Sequence, residues 1–189
     1  MVNISKNRCV GCGICENECP TSAISVDKKS GIAVIDKNGC TDCEVCLETC
    51  PQGAIKNIKG EYIIAIGTDN GQVIKSDDHV GMSKYFQIWR YSEGNLELIE
   101  TRENAKYKEG EERIHGDPGK AEATASALGG VNVLVGKMMG PNIERLKQRF
   151  VPVIIRQQEI KEAVEIIKDN INEIAEEEGK KERKGLILN

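Results

Sequence analysis

Two cysteine motifs of identical spacing dominate the first sixty residues. The segment that begins at Cys9 reads CVGCGICENECP, and the segment that begins at Cys40 reads CTDCEVCLETCP. Both follow the pattern C-x2-C-x2-C-x3-C-P, and the match continues beyond the cysteines, because the Ala-Ile pair at 23–24 recurs at 54–55. An internal repeat of this kind predicts two copies of one small structural unit.

Three kinds of cysteine chemistry can be weighed against this spacing. Disulfides form in oxidising compartments, and residues 1–9 lack the apolar segment of a secretory leader, so we do not expect them. A structural zinc site joins two C-x2-C pairs across a longer gap, because four ligands must converge on one ion. A cluster of four irons accepts cysteines at consecutive x2 intervals, since each thiolate binds a different iron. The spacing therefore favours iron–sulfur clusters over zinc.

Residues 1–59 resemble the bacterial 2×4Fe–4S ferredoxins through this doubled motif. The resemblance implies an α+β domain that holds two 4Fe–4S clusters and transfers electrons. It also implies that the fourth cysteine of each motif binds the cluster of the other half. The implied ligands are Cys9, Cys12, Cys15 and Cys50 for one cluster, and Cys40, Cys43, Cys46 and Cys19 for the other. All eight cysteines of the chain are then used.

The segment between the motifs predicts a β-hairpin. Ile24 and Val26 alternate before a KKSG turn, and Ile32 and Val34 alternate after it. We expect these apolar residues to cover the clusters. Residues 1–61 contain no aromatic side chain, so the core of this domain should consist of aliphatic residues and inorganic clusters. Loss of iron should therefore unfold the domain.

The two halves differ in charge around their first cysteines. Gly11 and Gly13 let the backbone of the first half approach a cluster closely, and backbone N–H groups near the sulfurs tune its reduction potential. The second half carries Asp42 and Glu44 at the corresponding positions. We therefore expect the two clusters to differ in potential.

The chain contains no cysteine from Tyr62 onward, which predicts a different domain. Its pattern of apolar runs, polar turns and amphipathic segments predicts the order β-β-β-α-β-α-β-α. The alternating second half predicts parallel strands with crossover helices, and hence an α/β fold. A last helix over residues 158–178 has an apolar stripe of Ile160, Ala163, Val164, Ile167, Ile171 and Ile174. Residues 179–189 are predicted to form a loose, charged tail.

Residues 62–178 resemble the dinitrogenase iron–molybdenum cofactor biosynthesis family, whose NifX-type domain also occurs at the C-terminus of NifB proteins. The matching stretches are IAIGTD, DDHVGMSKYFQIW, HGDPGKAEATASALGGVNVLVGKMMGPNIERLK and VPVIIRQQEIKEAVEII. The resemblance implies a ribonuclease H-like α/β domain, with a mixed sheet and helices on both faces. It also implies that this domain binds or carries an iron-containing cofactor, of the iron–molybdenum type or another iron–sulfur type.

A candidate cofactor site can be placed at one end of this sheet. Neutral imidazole is a ligand that suits iron, and both histidines of the chain, His79 and His115, lie in loops. A helix predicted to start at Pro141 would offer free N–H groups near Gly140 to an anionic metal–sulfur cofactor, beside Lys137. The ordinary structural alternative is a pair of solvated loop histidines and a favourable helix start.

Three acidic residues near the same end, Asp69, Asp77 and Asp78, suggest the carboxylates of a ribonuclease H-like nuclease. The chain has 26 basic and 30 acidic residues and a net charge of −4, with no basic groove to bind a phosphate backbone. We therefore expect neither nuclease activity nor a nucleic-acid partner.

These observations predict a cytoplasmic iron–sulfur protein of an anaerobe that acts in metallocluster assembly or transfer. We expect a redox protein or a cluster-assembly protein as its partner, no membrane association and no enzymatic activity, because no nucleophile–base pair is apparent. The alternative is a plain ferredoxin-type electron carrier whose second domain only docks a partner oxidoreductase.

Overall fold

The computed structural model describes residues 2–104 and 128–189. The chain divides into two compact units. The first unit comprises Met1–Gly60 with Asp169–Glu173, and the second comprises Glu61–Lys168 with Ile174–Asn189. None of the helices in the described residues is long and apolar enough to cross a membrane.

The first unit is built from two copies of a strand–helix–strand segment. Its elements are β1 (Val2–Ile4), α1 (Ile14–Glu18), β2 (Ile24–Val26), β3 (Ala33–Ile35), α2 (Val45–Thr49) and β4 (Ile55–Asn57). Strand β1 pairs with β4 and β2 pairs with β3, both in the antiparallel sense. Each two-stranded sheet therefore joins one strand from each copy, so neither copy forms a sheet alone.

The predicted hairpin exists, but its second strand has a different inward face. Ala33 is buried, whereas Val34 is 48% exposed. Strand β3 therefore turns Ala33 inward, and the expectation that Val34 covers a cluster is wrong. The sequence Ile-Ala-Val-Ile at 32–35 has apolar residues at every position, so it carries no alternation that could define the face.

The second unit contains a six-stranded mixed sheet. Its strands are β5 (Tyr62–Thr68), β6 (Tyr85–Ser92), β7 (Asn95–Glu103), β8 (Val133–Gly136), β9 (Val151–Ile155) and β10 (Leu186–Leu188), in the spatial order β10-β9-β8-β5-β6-β7. Strands β5, β6 and β7 are antiparallel neighbours. Strands β5, β8, β9 and β10 run parallel, which confirms the parallel arrangement predicted for the second half.

Residues 128–189 contain three helices: α3 (Ile143–Arg149), α4 (Ile160–Asp169) and α5 (Ile171–Glu178). Leu146 of α3 packs with Phe150, Phe86 and Ile88 on one face of the sheet. The six stripe residues predicted for the last helix are all buried, which confirms the stripe.

That last helix is interrupted, so the prediction of one continuous helix is wrong. Asn170 separates α4 from α5 and is buried. Its side-chain carbonyl accepts a hydrogen bond of 2.6 Å from the amide of Asn7, which belongs to the same unit as residues 169–173. Asparagine is a poor helix-interior residue because its side chain competes for local hydrogen bonds, and here that side chain is used in tertiary structure.

The end of the chain is also more ordered than predicted. Leu186–Leu188 forms β10 and extends the sheet beside β9. The buried carboxylate of Glu177 accepts hydrogen bonds from the backbone N–H groups of Lys184 and Gly185, the latter at 2.7 Å. Residues 179–189 are thus held in place by their apolar end and by an acidic side chain of the preceding helix.

Candidate functional site

The first unit contains a cavity bordered by four cysteines from both halves of the repeat. Its volume is about 360 Å³, including the space open to solvent. Its cysteines are Cys9, Cys12, Cys15 and Cys50. Three of them come from the first motif and the fourth comes from the end of the second motif. We call this cavity the first pocket.

A second cavity of about 300 Å³ is bordered by the other four cysteines. These are Cys19, Cys40, Cys43 and Cys46, and we call this cavity the second pocket. The grouping of the cysteines in both pockets is the one that the ferredoxin resemblance implies. That these cysteines are the ligands remains a prediction.

The two pockets have matching backbones. Positive φ angles occur at Gly11 and Gly13 in the first half, at 65° and 78°, and at Asp42 and Glu44 in the second half, at 51° and 64°. Left-handed backbone is uncommon for residues other than glycine, so its presence at Asp42 and Glu44 shows that the fold imposes the same path on both halves. Differences between the pockets therefore reside in their side chains.

The cysteines differ in burial within each pocket. Cys15 and Cys46 are buried, whereas Cys12 and Cys43 are exposed. Burial raises the pKa of the Cys15 thiol, and burial together with the nearby Cys40 and Cys43 raises the pKa of Cys46 to about 11. Because thiolates are the metal ligands, metal binding at these positions must release protons.

Cys19 behaves differently. Its burial would raise the pKa, but hydrogen bonds from the backbone and hydroxyl of Thr21 and from the amide of Ala23 outweigh burial and lower the pKa. The Ala23 amide lies 3.3 Å from Cys19 Sγ. The equivalent amide of Ala54 lies 3.3 Å from Cys50 Sγ. The fourth cysteine of each motif therefore accepts a hydrogen bond from the backbone N–H four residues later.

These features fit a polynuclear cluster in each pocket. Four sulfur donors border each cavity, and aliphatic residues such as Val26, Ala33 and Ile55 line the first pocket. Within residues 2–104 and 128–189, no three His, Cys, Asp or Glu side chains are grouped as the ligands of a single metal ion. The donor set matches the thiolate ligation of a 4Fe–4S cluster.

In the second unit, the structure brings His79 and Gly140 together. A Cβ atom added at Gly140 would lie 3.2 Å from Cδ2 and from Cγ of His79. The two loops are joined by a hydrogen bond of 3.0 Å from the Val80 amide to the Met138 carbonyl. Lys137 is half-buried in the same loop as Gly140. His115, the remaining candidate, lies outside the described residues.

The predicted helix start near Gly140 is less open than expected. Helix α3 begins at Ile143 rather than at Pro141, and it has seven residues. The Ile143 amide donates to the Gly140 carbonyl at 3.0 Å, and the Arg145 amide donates to the Asn142 carbonyl at 3.0 Å. These backbone N–H groups, which we predicted from the sequence to be available to an anion, thus donate hydrogen bonds to carbonyl groups of the chain itself.

Two glycines position the loop that carries His79. A Cβ atom at Gly67 would lie 2.8 Å from Val80 Cγ2, and one at Gly136 would lie 2.7 Å from Val80 Cβ. Gly67 belongs to β5 and Gly136 ends β8. Both strands therefore require glycine, which has no side chain, at the point where the short helix Val80–Met82 packs across them. Sequence reasoning missed this role, because the contact joins residues far apart in the chain.

The acidic group beside this loop contains a buried lysine that sequence reasoning also missed. Lys75 Nζ lies 2.5 Å from Asp69 Oδ2 and 2.8 Å from Asp77 Oδ1, and Lys75 is buried. Burial would lower the pKa of Lys75, but hydrogen bonds and charges from the two aspartates more than offset it and raise the pKa. The ammonium group therefore offsets one of the two carboxylate charges and occupies the place between them that a metal ion of a nuclease would need.

Comparisons with known proteins agree with the two units. A family model for a 4Fe-4S dicluster domain matches residues 8–54, and the model "Dinitrogenase iron-molybdenum cofactor" matches residues 60–170. A search of the curated proteins returns no match. Among solved structures, an adenosine 5'-phosphosulfate reductase in complex with substrate aligns at 19% identity and a TM-score of 0.29 over 63% of this chain and 91% of that chain.

The two matches together support a role in iron–sulfur metallocluster assembly or transfer. The first match also establishes the class of cofactor, because a 4Fe-4S dicluster domain accounts for all eight cysteines. The second match spans more than half of the chain. The chain belongs to the dinitrogenase iron–molybdenum cofactor family, with a 4Fe-4S dicluster domain at its N-terminus.

Proposed function

We propose that this protein delivers electrons to an iron-containing cofactor while that cofactor is assembled or transferred. The observation that carries the proposal is the pair of four-cysteine pockets in a chain whose second unit belongs to a cofactor family. When bound, each 4Fe–4S cluster supplies a one-electron redox couple.

In this proposal, cysteines of the first unit bind the redox centres, and aliphatic side chains shield the centres from water. The ligands are Cys9, Cys12, Cys15 and Cys50 in the first pocket and Cys19, Cys40, Cys43 and Cys46 in the second pocket. Cys12 and Cys43, which are exposed, mark the sides through which a partner comes near each centre. Because each pocket takes a cysteine from both halves, the two centres are built together and neither half is complete alone.

The second unit holds the cofactor and does not act as an enzyme. The strand order β7-β6-β5-β8-β9, with three antiparallel strands followed by parallel ones, supports a ribonuclease H-like fold. The ion pairs of Lys75 with Asp69 and Asp77 support a use other than phosphodiester hydrolysis. His79, held against Gly140, is the metal ligand we assign in the described residues. Lys137 is a second candidate in the same place, and His115, outside the described residues, stays a candidate from the sequence alone.

The test is an anaerobic titration of the full chain with isolated iron–molybdenum cofactor, measured as molybdenum that co-elutes with the protein. Replacing His79 by alanine should weaken binding at least about tenfold, which corresponds to roughly 1.4 kcal/mol. Ser76→Ala is the matched control, because Ser76 is exposed in the same loop. Absence of binding to the unmodified chain would favour the alternative, in which the second domain only docks a partner oxidoreductase.

A further inference from the structure

The two pockets have matching backbones, so the hydrogen bonds at equivalent positions of the two halves can be compared directly. In the first half, the amide of Ala33 donates a hydrogen bond of 3.4 Å to Cys9 Sγ. The residue equivalent to Ala33 in the repeat is Val2, and the equivalent of Cys9 is Cys40. The Val2 amide, however, donates to Asp42 Oδ1 at 3.3 Å. The carboxylate of Asp42 thus takes a hydrogen bond that a sulfur ligand receives in the other pocket.

The same carboxylate lies close to the sulfur itself. Asp42 Oδ1 is 3.9 Å from Cys40 Sγ, an approach in which the thiol is the hydrogen-bond donor. A thiolate bound to iron has no proton to donate, so the carboxylate then faces negatively charged sulfur. Loss of an N–H···S hydrogen bond and addition of a negative charge both disfavour the reduced, more negative state of a cluster.

The first half has no carboxylate at the position equivalent to Asp42, although Glu16 accepts a hydrogen bond from the amide of Val26, which lines the first pocket. The equivalent position is Gly11, where a Cβ atom would lie 2.0 Å from the carbonyl oxygen of Gly31. A side chain is therefore excluded at Gly11 by backbone. Glu44, which lines the second pocket where the first half has Gly13, adds a second negative charge to the same side. The Thr21 hydroxyl, 3.7 Å from Cys19 Sγ, acts in the opposite sense on the second pocket, but it is a neutral group, whereas the Asp42 carboxylate carries a full charge.

We propose that Asp42 makes the second pocket's cluster the harder of the two to reduce. The first electron from a low-potential donor then reduces the cluster of the first pocket. The cluster of the second pocket, once it is reduced as well, is the stronger reductant of the two. The inference rests on the proposed function in one respect, that both pockets hold 4Fe–4S clusters.

The experiment is an anaerobic redox titration of the full chain with dithionite as the electron donor. Paramagnetically shifted β-proton resonances of Cys9 and Cys40 report the two pockets separately, so no activity assay is needed. In the unmodified chain, the Cys9 signals should change at the higher potential. In Asp42→Asn, the midpoint read from Cys40 should rise by at least about 59 mV, which is a tenfold change in the ratio of reduced to oxidised cluster for one electron.

Two further variants make the result decisive. Asp42→Gly introduces glycine, the residue that the first half has at the equivalent position, Gly11. It should raise the midpoint read from Cys40 in the same way, and it provides the test if Asp42→Asn assembles its clusters poorly. Glu48→Gln removes an equal charge from an exposed site on α2, whereas the Asp42 carboxylate lies 3.9 Å from Cys40 Sγ, so Glu48→Gln should shift both midpoints less. Equal midpoints in the unmodified chain, or equal shifts in Asp42→Asn and Glu48→Gln, would overturn the assignment of Asp42.

Iron and sulfide content separates this inference from the proposed function. A sample that holds about eight irons and eight acid-labile sulfides meets the premise of two 4Fe–4S clusters. A maximum of four irons in every preparation of the unmodified chain would overturn both proposals together. Full content with unaltered midpoints in the Asp42 variants would overturn only the inference about Asp42.

Discussion

Replacing Gly67 by alanine tests whether close packing at the ends of β5 and β8 positions the His79 loop. The added Cβ atom would lie 2.4 Å from Ser83 Oγ and 2.8 Å from Val80 Cγ2. Ser83 and Val80 are both buried, so neither can turn into solvent. The segment from Val80 to Ser83 must therefore move away from the sheet.

The expected loss of stability follows from two opposing effects. Overpacking a buried site costs about 1–3 kcal/mol, while alanine reduces the freedom of the unfolded chain and returns about 0.4–1 kcal/mol. The centres of these ranges, about 2 and about 0.7 kcal/mol, leave a net loss in the free energy of unfolding of about 1.3 kcal/mol. With a denaturant slope of about 1–3 kcal/mol/M in urea, the midpoint should fall by roughly 0.4–1.3 M.

The chain provides its own probe for this measurement. It contains one tryptophan, Trp89, which lies in β6 of the second unit. Its fluorescence during urea denaturation reports that unit without a signal from the first unit. Ser83→Ala combined with Gly67→Ala removes the shortest contact and should recover part of the loss, as a positive coupling in a double-mutant cycle.

Gly179→Ala is the matched control for the same chemical change. A Cβ atom there would lie 3.7 Å from its nearest neighbours, which is ordinary contact. We expect this variant to be neutral or slightly stabilising. If Gly67→Ala and Gly179→Ala have the same urea midpoint, the reasoning that close approach at Gly67 positions the His79 loop is refuted.

Two further predictions concern the pockets and the end of the chain. Cys19→Ser should perturb the paramagnetic resonances of Cys40, and Cys12→Ser those of Cys9; the reverse pairing would contradict crossed ligation. Glu177→Gln should lower the free energy of unfolding by about 1–3 kcal/mol at neutral pH, because a buried carboxylate that accepts two backbone N–H bonds loses its charge. Hydrogen bonds from Lys180, Lys184 and Gly185 outweigh burial and lower the pKa of Glu177. Its stabilisation is therefore full above the pKa of the unfolded chain, near 4.5, and is lost as pH falls through the folded value. If urea titrations show that the difference in the free energy of unfolding between the unmodified chain and Glu177→Gln stays constant below pH 4.5, this reasoning is contradicted.

The repeat made the first unit predictable at the level of elements, because two copies of a short motif must fold alike. The assignment of cysteines to halves followed from the resemblance, and the cavities group them in the same way. The inward face of β3 was not predictable, since Ala33 and Val34 are both apolar. Only the packing of the folded chain distinguishes them, with Ala33 buried and Val34 exposed.

Prediction of the second unit failed where distant residues meet. The apolar stripe of the last helix followed from its periodicity, but its break at Asn170 depends on a side chain 163 residues away in the sequence. Strand β10 depends on Glu177 and on the free edge of β9. Lys75 was not singled out from the sequence, because its two aspartate partners approach it only in the folded structure.

The proposed difference in reduction potential between the pockets has two structural origins. One is a steric constraint in the first half, and the other is a hydrogen bond from a backbone amide in the second half. At Gly11 the Gly31 carbonyl leaves no room for a side chain, so the amide of Ala33 has only sulfur to bind. Asp42 has the same left-handed backbone but carries a carboxylate, which the Val2 amide holds next to Cys40. A duplicated sequence fixes two equivalent backbones and does not fix two equivalent potentials. Steric exclusion at Gly11 therefore keeps a carboxylate away from this position in the first half, and the proposed harder reduction of the second pocket's cluster rests on the presence of Asp42 there.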